Sequence, residues 1–309
     1  MIEMQNVTKS YGDFKAVDNL SLHVDRGELL VILGPSGCGK STTLRLMNKM
    51  AERSSGTIRI MEKDIDSFVE EDLRKGIGYV IQSIGLFPHM NVWKNIATVP
   101  QLLGWDEKRI DGRVQELLLL VGLDPDKYKY KKPSQLSGGE AQRVGVARAL
   151  ASDPDILLMD EPFGAVDPIN RLRLQKEFRQ IQRRLQKTVV FVTHDIDEAI
   201  LLGDRICIMN HGRVVSIDTP EKVVLHSKDD FVDSFFKGEG ILTILSRKNV
   251  GDYMEEIPCK GEEMEEDSTL KEALSLMLLT GRDRIPVKGG SISFNRILQV
   301  VGRDINEKA

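Results

Sequence analysis

Residues 34–41 read GPSGCGKS, a spacing of residue types suited to holding phosphate. They match G-x-x-x-x-G-K-[ST] in the context that the pattern requires, with a short apolar run before them and a helix-like segment after them. Glycines let backbone N–H groups approach phosphate oxygens, and the positive end of the following helix faces the same anion. Lys40 would place its charge on the β and γ phosphates, and the Ser41 hydroxyl would bind Mg²⁺. We therefore predict a nucleoside-triphosphate site rather than a ligand-free glycine-rich turn, formed by Gly34, Pro35, Ser36, Gly37, Cys38, Gly39, Lys40, Ser41 and Thr42.

Two acidic residues follow a second apolar run that is typical of a buried strand. Asp160 and Glu161 come directly after residues 156–159, and two carboxylates there would repel each other unless something positive lay nearby. A magnesium nucleotide meets that need, since Asp160 would hold Mg²⁺ and Glu161 would orient or deprotonate the attacking water. The alternative is an acidic loop that faces solvent. His194 ends a further apolar run, and its position makes it a candidate for the same site.

Residues 136–140 read LSGGE and open a helix rich in small residues. Ser137 and Glu140 have the spacing of an S-x-x-E capping box, so the pattern can be explained as an ordinary helix start. Two adjacent glycines weaken that explanation, because capping does not need them and each lowers helix stability. Gly138 and Gly139 therefore indicate a role beyond capping.

Composition restricts the classes of function. The 309 residues carry a formal net charge of −4, which gives no reason to expect general nucleic-acid binding. Cys38, Cys207 and Cys259 lie far apart, so neither a zinc site nor a disulfide framework is implied. No window approaches the roughly 18 apolar residues of a membrane span, so we expect any action at a membrane to require a partner.

The pattern of elements predicts an α/β fold. Residues 1–27 alternate as two or three antiparallel strands with a turn at 11–13, and residues 57–60 and 77–82 are predicted as further strands. Residues 86–150 are typical of a helical insertion between two halves of the sheet. One apolar face of that insertion is formed by Ile110, Val114, Leu117, Leu118 and Val121. Tyr11 is an aromatic residue on the first turn, where it either stacks on a nucleobase or packs on its own sheet.

In this order, the motifs resemble one family over about residues 1–235: the ATP-binding cassette ATPases that power ABC transporters. The resemblance implies a P-loop ABC-ATPase fold with a mixed central sheet, an N-terminal antiparallel β subdomain and a helical subdomain at about 86–150. Tyr11 then matches the residue that stacks on adenine, residues 34–41 match the Walker A loop, and Gln82 matches the Q-loop. Residues 136–140 match the signature, Asp160 ends the Walker B strand, Glu161 is the catalytic glutamate, residues 164–167 are the D-loop and His194 is the switch histidine.

Two motifs depart from the commoner family spelling. The signature reads LSGGE rather than LSGGQ, and residues 164–167 read GAVD where SALD is commoner. Glu140 lies beyond the Ser-Gly-Gly that meets phosphate in the family, and Asp167 is retained. We expect neither departure to be disabling.

The resemblance also implies a mechanism and a set of partners. Two copies would pair head to tail, so that ATP held by one copy meets residues of the other, namely Ser137, Gly138, Gly139 and Asp167. Catalytic roles fall on Glu161, His194 and Gln82, and Mg²⁺ would be held by Ser41, Gln82 and Asp160. Gln82 and the helical subdomain would contact transmembrane permease subunits, which places the chain peripherally at the cytoplasmic face of the cell membrane. An extracytoplasmic substrate-binding protein is an indirect partner, and nucleic acid is not expected.

Within the family, residues 79–105 look like those of importer ATPases for osmoprotectants such as glycine betaine, carnitine, choline and proline, which often carry CBS domains. Residues 267–287 are similar to the first half of a CBS motif, and we expect at most one partial CBS unit. The predicted organisation is a nucleotide-binding domain at 1–235, a linker at 236–262 and a small α+β CBS-like domain at 263–309. Its role stays open between regulation and plain stabilisation or dimerisation.

Other functions stand as alternatives. An importer of amino acids or polyamines belongs to the same class. A soluble ABC-type ATPase acting on DNA or ribosomes usually carries a long coiled coil, a second cassette or basic arms, and this sequence has none of them. A regulatory module that binds a nucleotide without hydrolysing it would need neither Glu161 nor His194.

Overall fold

The computed structural model describes residues 1–81, 85–164, 166–225, 229–236, 240–261 and 263–306, without the side chains at 168–170, 234 and 301–306. The strands are β1 (Ile2–Tyr11), β2 (Phe14–Val24), β3 (Leu29–Leu33), β4 (Ser55–Ile60), β5 (Lys63–Asp64), β6 (Ile77–Val80), β7 (Ile156–Asp160), β8 (Thr188–Thr193), β9 (Arg205–Asn210), β10 (Arg213–Asp218), β11 (Arg284–Val287) and β12 (Gly290–Ser293). The helices are α1 (Lys40–Met47), α2 (Glu70–Lys75), α3 (Val92–Leu102), α4 (Glu107–Leu120), α5 (Pro125–Tyr128), α6 (Gly138–Ala149), α7 (Pro168–Leu185), α8 (Ile196–Leu202), α9 (Pro220–Leu225), α10 (Asp230–Phe236), α11 (Gly240–Leu245), α12 (Leu270–Thr280) and α13 (Phe294–Asn306). Two compact units divide the chain, the first formed by 1–194 with 207–214 and the second by 195–206 with 215–309.

An antiparallel sheet begins the first unit, with strand order β2-β1-β4-β5. A tight turn joins β1 to β2, with Tyr11 opposite Phe14 in the register and Gly12 at φ 58°. Glycine adopts this positive φ at little cost, which explains its place in the turn. Ile2 and Met4 are buried with the predicted period of two, and a shift in the β1–β2 register between Met4 and Val7 returns Val7 to the buried face.

The second sheet positions the candidate site. Its strand order is β10-β9-β3-β8-β7-β6, and β3, β8, β7 and β6 pair in parallel. Every residue of β3, β7 and β8 is buried, as expected of strands covered on both faces. The register sets Leu33 beside Thr193 and Asp160 beside Val192, so these three strands end together. The residues that follow them therefore emerge at one edge of the sheet.

The region predicted as helical contains α3, α4, α5 and α6. The predicted apolar face of α4 is confirmed, since Ile110, Val114, Leu117 and Leu118 are all buried. On the same helix, the Arg113 guanidinium donates from Nη2 to the Leu150 carbonyl at 2.9 Å and lies 3.5 Å from an Asp153 carboxylate oxygen. The same carbonyl also accepts from the Asp153 N–H at 3.0 Å, so the Arg113 cation adds a second donor and a favourable charge at the end of α6.

The second unit has its own apolar core around α12, β11, β12 and α13. Leu245 and Val250 belong to that core although they fall within the predicted linker. The chain that precedes α12 also pairs with both strands of the hairpin. Glu255 forms a bridge with Ser291 of β12, and Met264 forms one with Val287 of β11. The domain bounds at 235 and 262, and the CBS-like character of the C-terminal region, stay predictions. None of the described helices is long and apolar enough to cross a membrane.

Leu270 and Leu279 lie on α12 in opposite environments and provide a matched test of this core. Leu270 is fully buried, whereas Leu279 is 85% exposed. Because truncation in a packed core leaves a cavity, Leu270→Ala should lower the local free energy of unfolding by about 2–5 kcal/mol. Leu279→Ala should change it by less than about 0.5 kcal/mol. Hydrogen exchange of α12 and β11 amides measures both values, and equal effects would contradict the core described here.

Candidate active site

The loop between β3 and α1 is folded so that only glycine fits at several positions. Gly37 and Gly39 have φ values of 79° and 105°, a region that residues with a Cβ rarely adopt. A Cβ on Gly39 would lie 2.2 Å from the Ala16 carbonyl oxygen, and one on Gly34 would lie 2.2 Å from the Met209 carbonyl oxygen. The loop is therefore enclosed by β2 on one side and β9 on the other, and within it the Cys38 N–H donates to the Pro35 carbonyl at 3.3 Å.

Lys40 lies at the first position of α1 and is only 5% exposed. Its ammonium folds back over the loop and donates to the Gly34 and Pro35 carbonyls at 2.8 and 3.0 Å. The N-terminus of α1 has Gly39 as its N-cap and no side chain that accepts from its N–H groups. A buried cation beside uncapped helix N–H groups is an arrangement that favours an anion.

Ser41 and Asp160 join the loop to the acidic end of β7. The Ser41 hydroxyl donates to Asp160 Oδ1 at 2.9 Å. Asp160 is 7% exposed, and burial raises the pKa of its carboxyl above the ordinary value, opposed by the Ser41 hydrogen bond and reinforced by the Glu161 charge. Two oxygen donors at this separation, one of them a poorly solvated carboxylate, suit a hard divalent cation.

Glu161 and His194 face each other at the ends of β7 and β8. His194 Nδ1 lies 3.1 Å from Glu161 Oε1, and the Glu161 side chain is 17% exposed against 58% for His194. The Glu161 backbone donates to the Val192 carbonyl at 2.9 Å and has φ 44°. A non-glycine residue in this conformation costs roughly 1 kcal/mol or more and is found most often where function requires it. The candidate base is thus fixed by the backbone of the neighbouring strand.

Tyr11 lies at the end of β1 and is 53% exposed. The Lys9 ammonium lies 4.7 Å from the centroid of its ring. The ring is therefore accessible to a base while one cation already contacts it. Both interpretations of Tyr11 stay open.

The LSGGE segment begins α6 with the capping box that the sequence predicts. Ser137 Oγ accepts from the Glu140 N–H at 3.3 Å, and Glu140 Oε2 accepts from the Ser137 N–H at 2.7 Å. Ser137 and Gly138 are exposed, so the capped end of α6 faces outward. Capping is confirmed, and a contact of these residues with a nucleotide on a second copy stays a prediction.

The predicted roles of Gln82 and Asp167 stay predictions. Gln82 lies outside the described residues. Asp167 is exposed just before α7, and its carbonyl accepts from the Arg171 N–H at 2.9 Å. Its predicted action on a second copy stays a prediction.

Sequence reasoning missed Tyr79 and Tyr128. Tyr79 lies on β6, and burial, followed by the charge of Asp160, raises the pKa of its phenol to about 12. The Tyr128 hydroxyl donates to Glu140 Oε1 at 2.5 Å. Neither the burial of Tyr79 nor the hydrogen bond from Tyr128 to Glu140 follows from a sequence period or motif, so the structure is needed to find them.

Among the described residues, no three His, Cys, Asp or Glu side chains form a group that could hold a metal ion. A complete protein-built metal cage is therefore not present in that part of the chain. The Ser41–Asp160 pair instead suits a cation such as Mg²⁺, which commonly binds through one or two protein oxygens, waters and substrate phosphates.

Fold and site together define a P-loop ATPase, and comparison with known proteins specifies the family. Residues 17–164 match the ABC transporter family. The glycine betaine uptake system ATP-binding protein YehX of Escherichia coli (strain K12) is 48% identical over 93% of this chain and 94% of that protein. The choline transport ATP-binding protein OpuBA of Bacillus subtilis (strain 168) is 44% identical over 97% of this chain and 77% of that protein.

The fold is shared with solved cassettes as well. A dimeric structure of a post-hydrolysis state of an ATP-binding cassette bound to ADP and Pi has a TM-score of 0.64 and 32% identity, covering 71% of this chain and 98% of that one. This chain belongs to the ABC transporter family and is an ABC-type ATPase. The predicted fold class, and the resemblance to osmoprotectant importer ATPases, are confirmed.

The buried charge of Asp160 predicts a gain in stability when it is removed. The folded protein holds the Asp160 proton more tightly than the unfolded chain does, so the ionised carboxylate destabilises the fold above the raised pKa. Asp160→Asn keeps an oxygen for Ser41 and removes the charge. At pH 7 we expect the free energy of unfolding of the nucleotide-free protein to rise by about 1 kcal/mol.

Urea denaturation at two pH values measures this effect. The gain should be present at neutral pH and shrink as the pH falls towards the ordinary Asp pKa of 3.8, because the native carboxyl is then protonated in the wild type as well. A variant that is less stable than the wild type at pH 7 would contradict the account of Asp160.

Proposed function

We propose that this chain is the ATP-hydrolysing subunit of an importer for a quaternary amine osmoprotectant such as glycine betaine, carnitine or choline. The convergence of the phosphate loop, the acidic end of β7 and His194 at one sheet edge carries the ATPase part of the proposal. The similarity to a glycine betaine uptake ATP-binding protein and to a choline transport ATP-binding protein supports the cargo.

ATP would bind with its phosphates in the loop that residues 34–42 form. Phosphate oxygens would replace the Gly34 and Pro35 carbonyls as acceptors of the Lys40 ammonium, which already lies over the loop. Backbone N–H groups at the start of α1 would donate to the same oxygens. Tyr11, exposed at the β1–β2 turn, is proposed to stack on adenine.

Mg²⁺ would be held by Ser41 and Asp160, with Gln82 as a third proposed ligand. When bound, the ion would neutralise negative charge on the phosphates and on Asp160. The hydrogen bond between Ser41 and Asp160 keeps both oxygens on one side of the loop, so the protein donors are arranged beforehand.

Glu161 would accept the proton of the water that attacks the γ-phosphorus, as the bond to the β–γ bridging oxygen breaks. His194, 3.1 Å from Glu161, would hold that carboxylate and contact the γ-phosphate. The strained backbone at Glu161 limits where its side chain can point, which lowers the cost of orienting the base.

A second copy would complete the site by pairing head to tail. Ser137, Gly138, Gly139 and Asp167 of that copy would then face the γ-phosphate. The exposed, capped start of α6 supports this, because the Ser137 hydroxyl accepts within the capping box and keeps its proton for a phosphate oxygen. That a solved cassette of the same fold is dimeric with ADP and Pi bound supports the association of two copies.

Permease subunits would dock on a largely apolar groove between β6, α2, α3 and α6. Phe87, Val99 and Arg148 are among the residues that line it. The Arg148 guanidinium lies 5.7 Å from the Phe87 ring centroid and donates to the Gly85 carbonyl at 2.7 Å. The chain would thereby lie peripherally at the cytoplasmic face of the membrane and act on an extracytoplasmic substrate-binding protein through the permease.

Glu161→Gln tests the catalytic assignment. ATP binding should be kept and a closed dimer should accumulate, while hydrolysis falls by roughly 10²- to 10⁴-fold, the usual loss when a general base is removed. Phosphate release in steady state measures the rate. Glu71→Gln is a matched control, since the Glu71 side chain is 82% exposed on α2. Unchanged turnover in Glu161→Gln would place the base elsewhere.

Uptake by the reconstituted transporter tests the cargo. Radiolabelled glycine betaine, choline and carnitine should be accumulated in an ATP-dependent way, and a transporter carrying Glu161→Gln should accumulate none. Uptake of an amino acid or polyamine in their place would reject the osmoprotectant assignment and leave the ATPase mechanism intact.

A further inference from the structure

Glu140, the acidic residue at the end of LSGGE, has both carboxylate oxygens engaged. Tyr128 donates its hydroxyl to Oε1 at 2.5 Å, and the Ser137 N–H donates to Oε2 at 2.7 Å. In return the Glu140 N–H donates to Ser137 Oγ at 3.3 Å. The carboxylate is thus fixed between the start of its own helix and a phenol from α5.

Tyr128 is itself held in place by the backbone. Its N–H donates to the carbonyl of Asp124, the N-cap of α5, at 3.0 Å. The two residues that flank Tyr130 accept from the start of α3: Lys129 from the Trp93 N–H and Lys131 from the Val92 N–H, each at 2.9 Å. The phenol therefore reaches Glu140 from a segment that is tied to a second helix.

The contact matters because Glu140 carries a charge. The Tyr128 hydrogen bond, followed by that of the Ser137 N–H, holds the pKa of Glu140 below its usual range, so the carboxylate is ionised at neutral pH. A free carboxylate next to Gly138 and Gly139 would repel a triphosphate, whereas a carboxylate bound on both oxygens keeps its charge inside the capping box. The Lys131 ammonium, 4.1 Å from the Tyr128 ring centroid, adds a positive charge on the same side.

We propose that Tyr128 is a positioning residue for the ATPase reaction: it fixes Glu140 so that Ser137, Gly138 and Gly139 present their donors to the nucleotide of a second copy. This role rests on the head-to-tail dimer proposed above. Tyr128 acts through Glu140 and does not touch the nucleotide.

The test measures ATP-dependent dimerisation in the Glu161→Gln background, where hydrolysis does not reopen the dimer. Tyr128→Phe should raise the dimer dissociation constant about tenfold, because a Glu140 carboxylate released from the phenol would repel the triphosphate of the second copy, an effect present only in the dimer. Tyr130→Phe is the matched control, because Tyr130 is 72% exposed two residues away and should change nothing. Binding of ATP to the monomer, measured with a fluorescent analogue, should be the same in all three proteins.

A double-mutant cycle separates this role from simple packing. In a Glu140→Gln background, whose own dissociation constant sets the baseline, Tyr128→Phe should cost at most about threefold, since only a neutral hydrogen bond is lost. The same tenfold loss with and without the Glu140 charge would show that Tyr128 acts independently of Glu140 and would overturn the proposal. So would a Tyr128→Phe protein that dimerises like its parent.

A second variant keeps the proposal testable if the Tyr128→Phe protein is too unstable to measure. If Tyr128→Phe lowers thermal stability, Glu140→Asp tests the same contact, because the shorter side chain keeps the charge but withdraws it from the Tyr128 hydroxyl. It should weaken dimerisation about tenfold as well, and dimerisation at the level of the parent would contradict the proposal. A Glu161→Gln protein that stays monomeric with ATP would overturn the dimer itself, a result distinct from any effect of Tyr128.

Discussion

The hydrogen bond between the Ser41 hydroxyl and the Asp160 carboxylate is the contact on which the site depends. It joins the end of β7 to the start of α1 across the sheet edge, at 2.9 Å. The parallel register of β3, β8 and β7 brings the two residues there, and burial makes the Asp160 charge unfavourable without a cation. The fold therefore favours a cation beside Asp160, which the proposed magnesium nucleotide would supply.

The loop at this edge tolerates few residue types. Gly34 and Gly39 have no space for a Cβ, and Glu161 has a left-handed backbone that its residue type disfavours. Left-handed non-glycine residues also occur elsewhere in the described chain, among them Lys49 and Gln186, so backbone strain by itself does not mark the site. What is particular to this edge is that neighbouring backbone encloses the glycines of the loop that precedes α1.

The sequence was most informative where one motif lies on one short segment. The buried strands before the loop and before Glu161, and the apolar face of α4, all follow from local spacing, and the structure bears them out. Contacts between distant segments were not predictable in this way. Tyr128 and Glu140 lie 12 residues apart with a turn and a helix start between them, and no periodicity links a phenol to a capping carboxylate across such a gap.

The apolar core of the second unit was likewise not predictable from the sequence. Leu245 and Val250 carry no signal that assigns them to a core with α12 and β11, because a stretch of mixed polar residues separates them in sequence. Tyr11 illustrates a different limit, since an exposed ring beside Lys9 is compatible with stacking on a base or with contacts inside its own sheet.

In the proposed mechanism one chain forms only half of the site, because the exposed start of α6 would meet the phosphate that a second copy holds. A structure of the Glu161→Gln protein with Mg²⁺ and ATP tests most directly whether two copies share each nucleotide site. The account predicts a two-fold dimer with each γ-phosphate within hydrogen-bonding distance of Lys40 from one copy and Ser137 from the other. ATP held by the Lys40 loop alone, with Ser137 of every copy facing solvent, would contradict it.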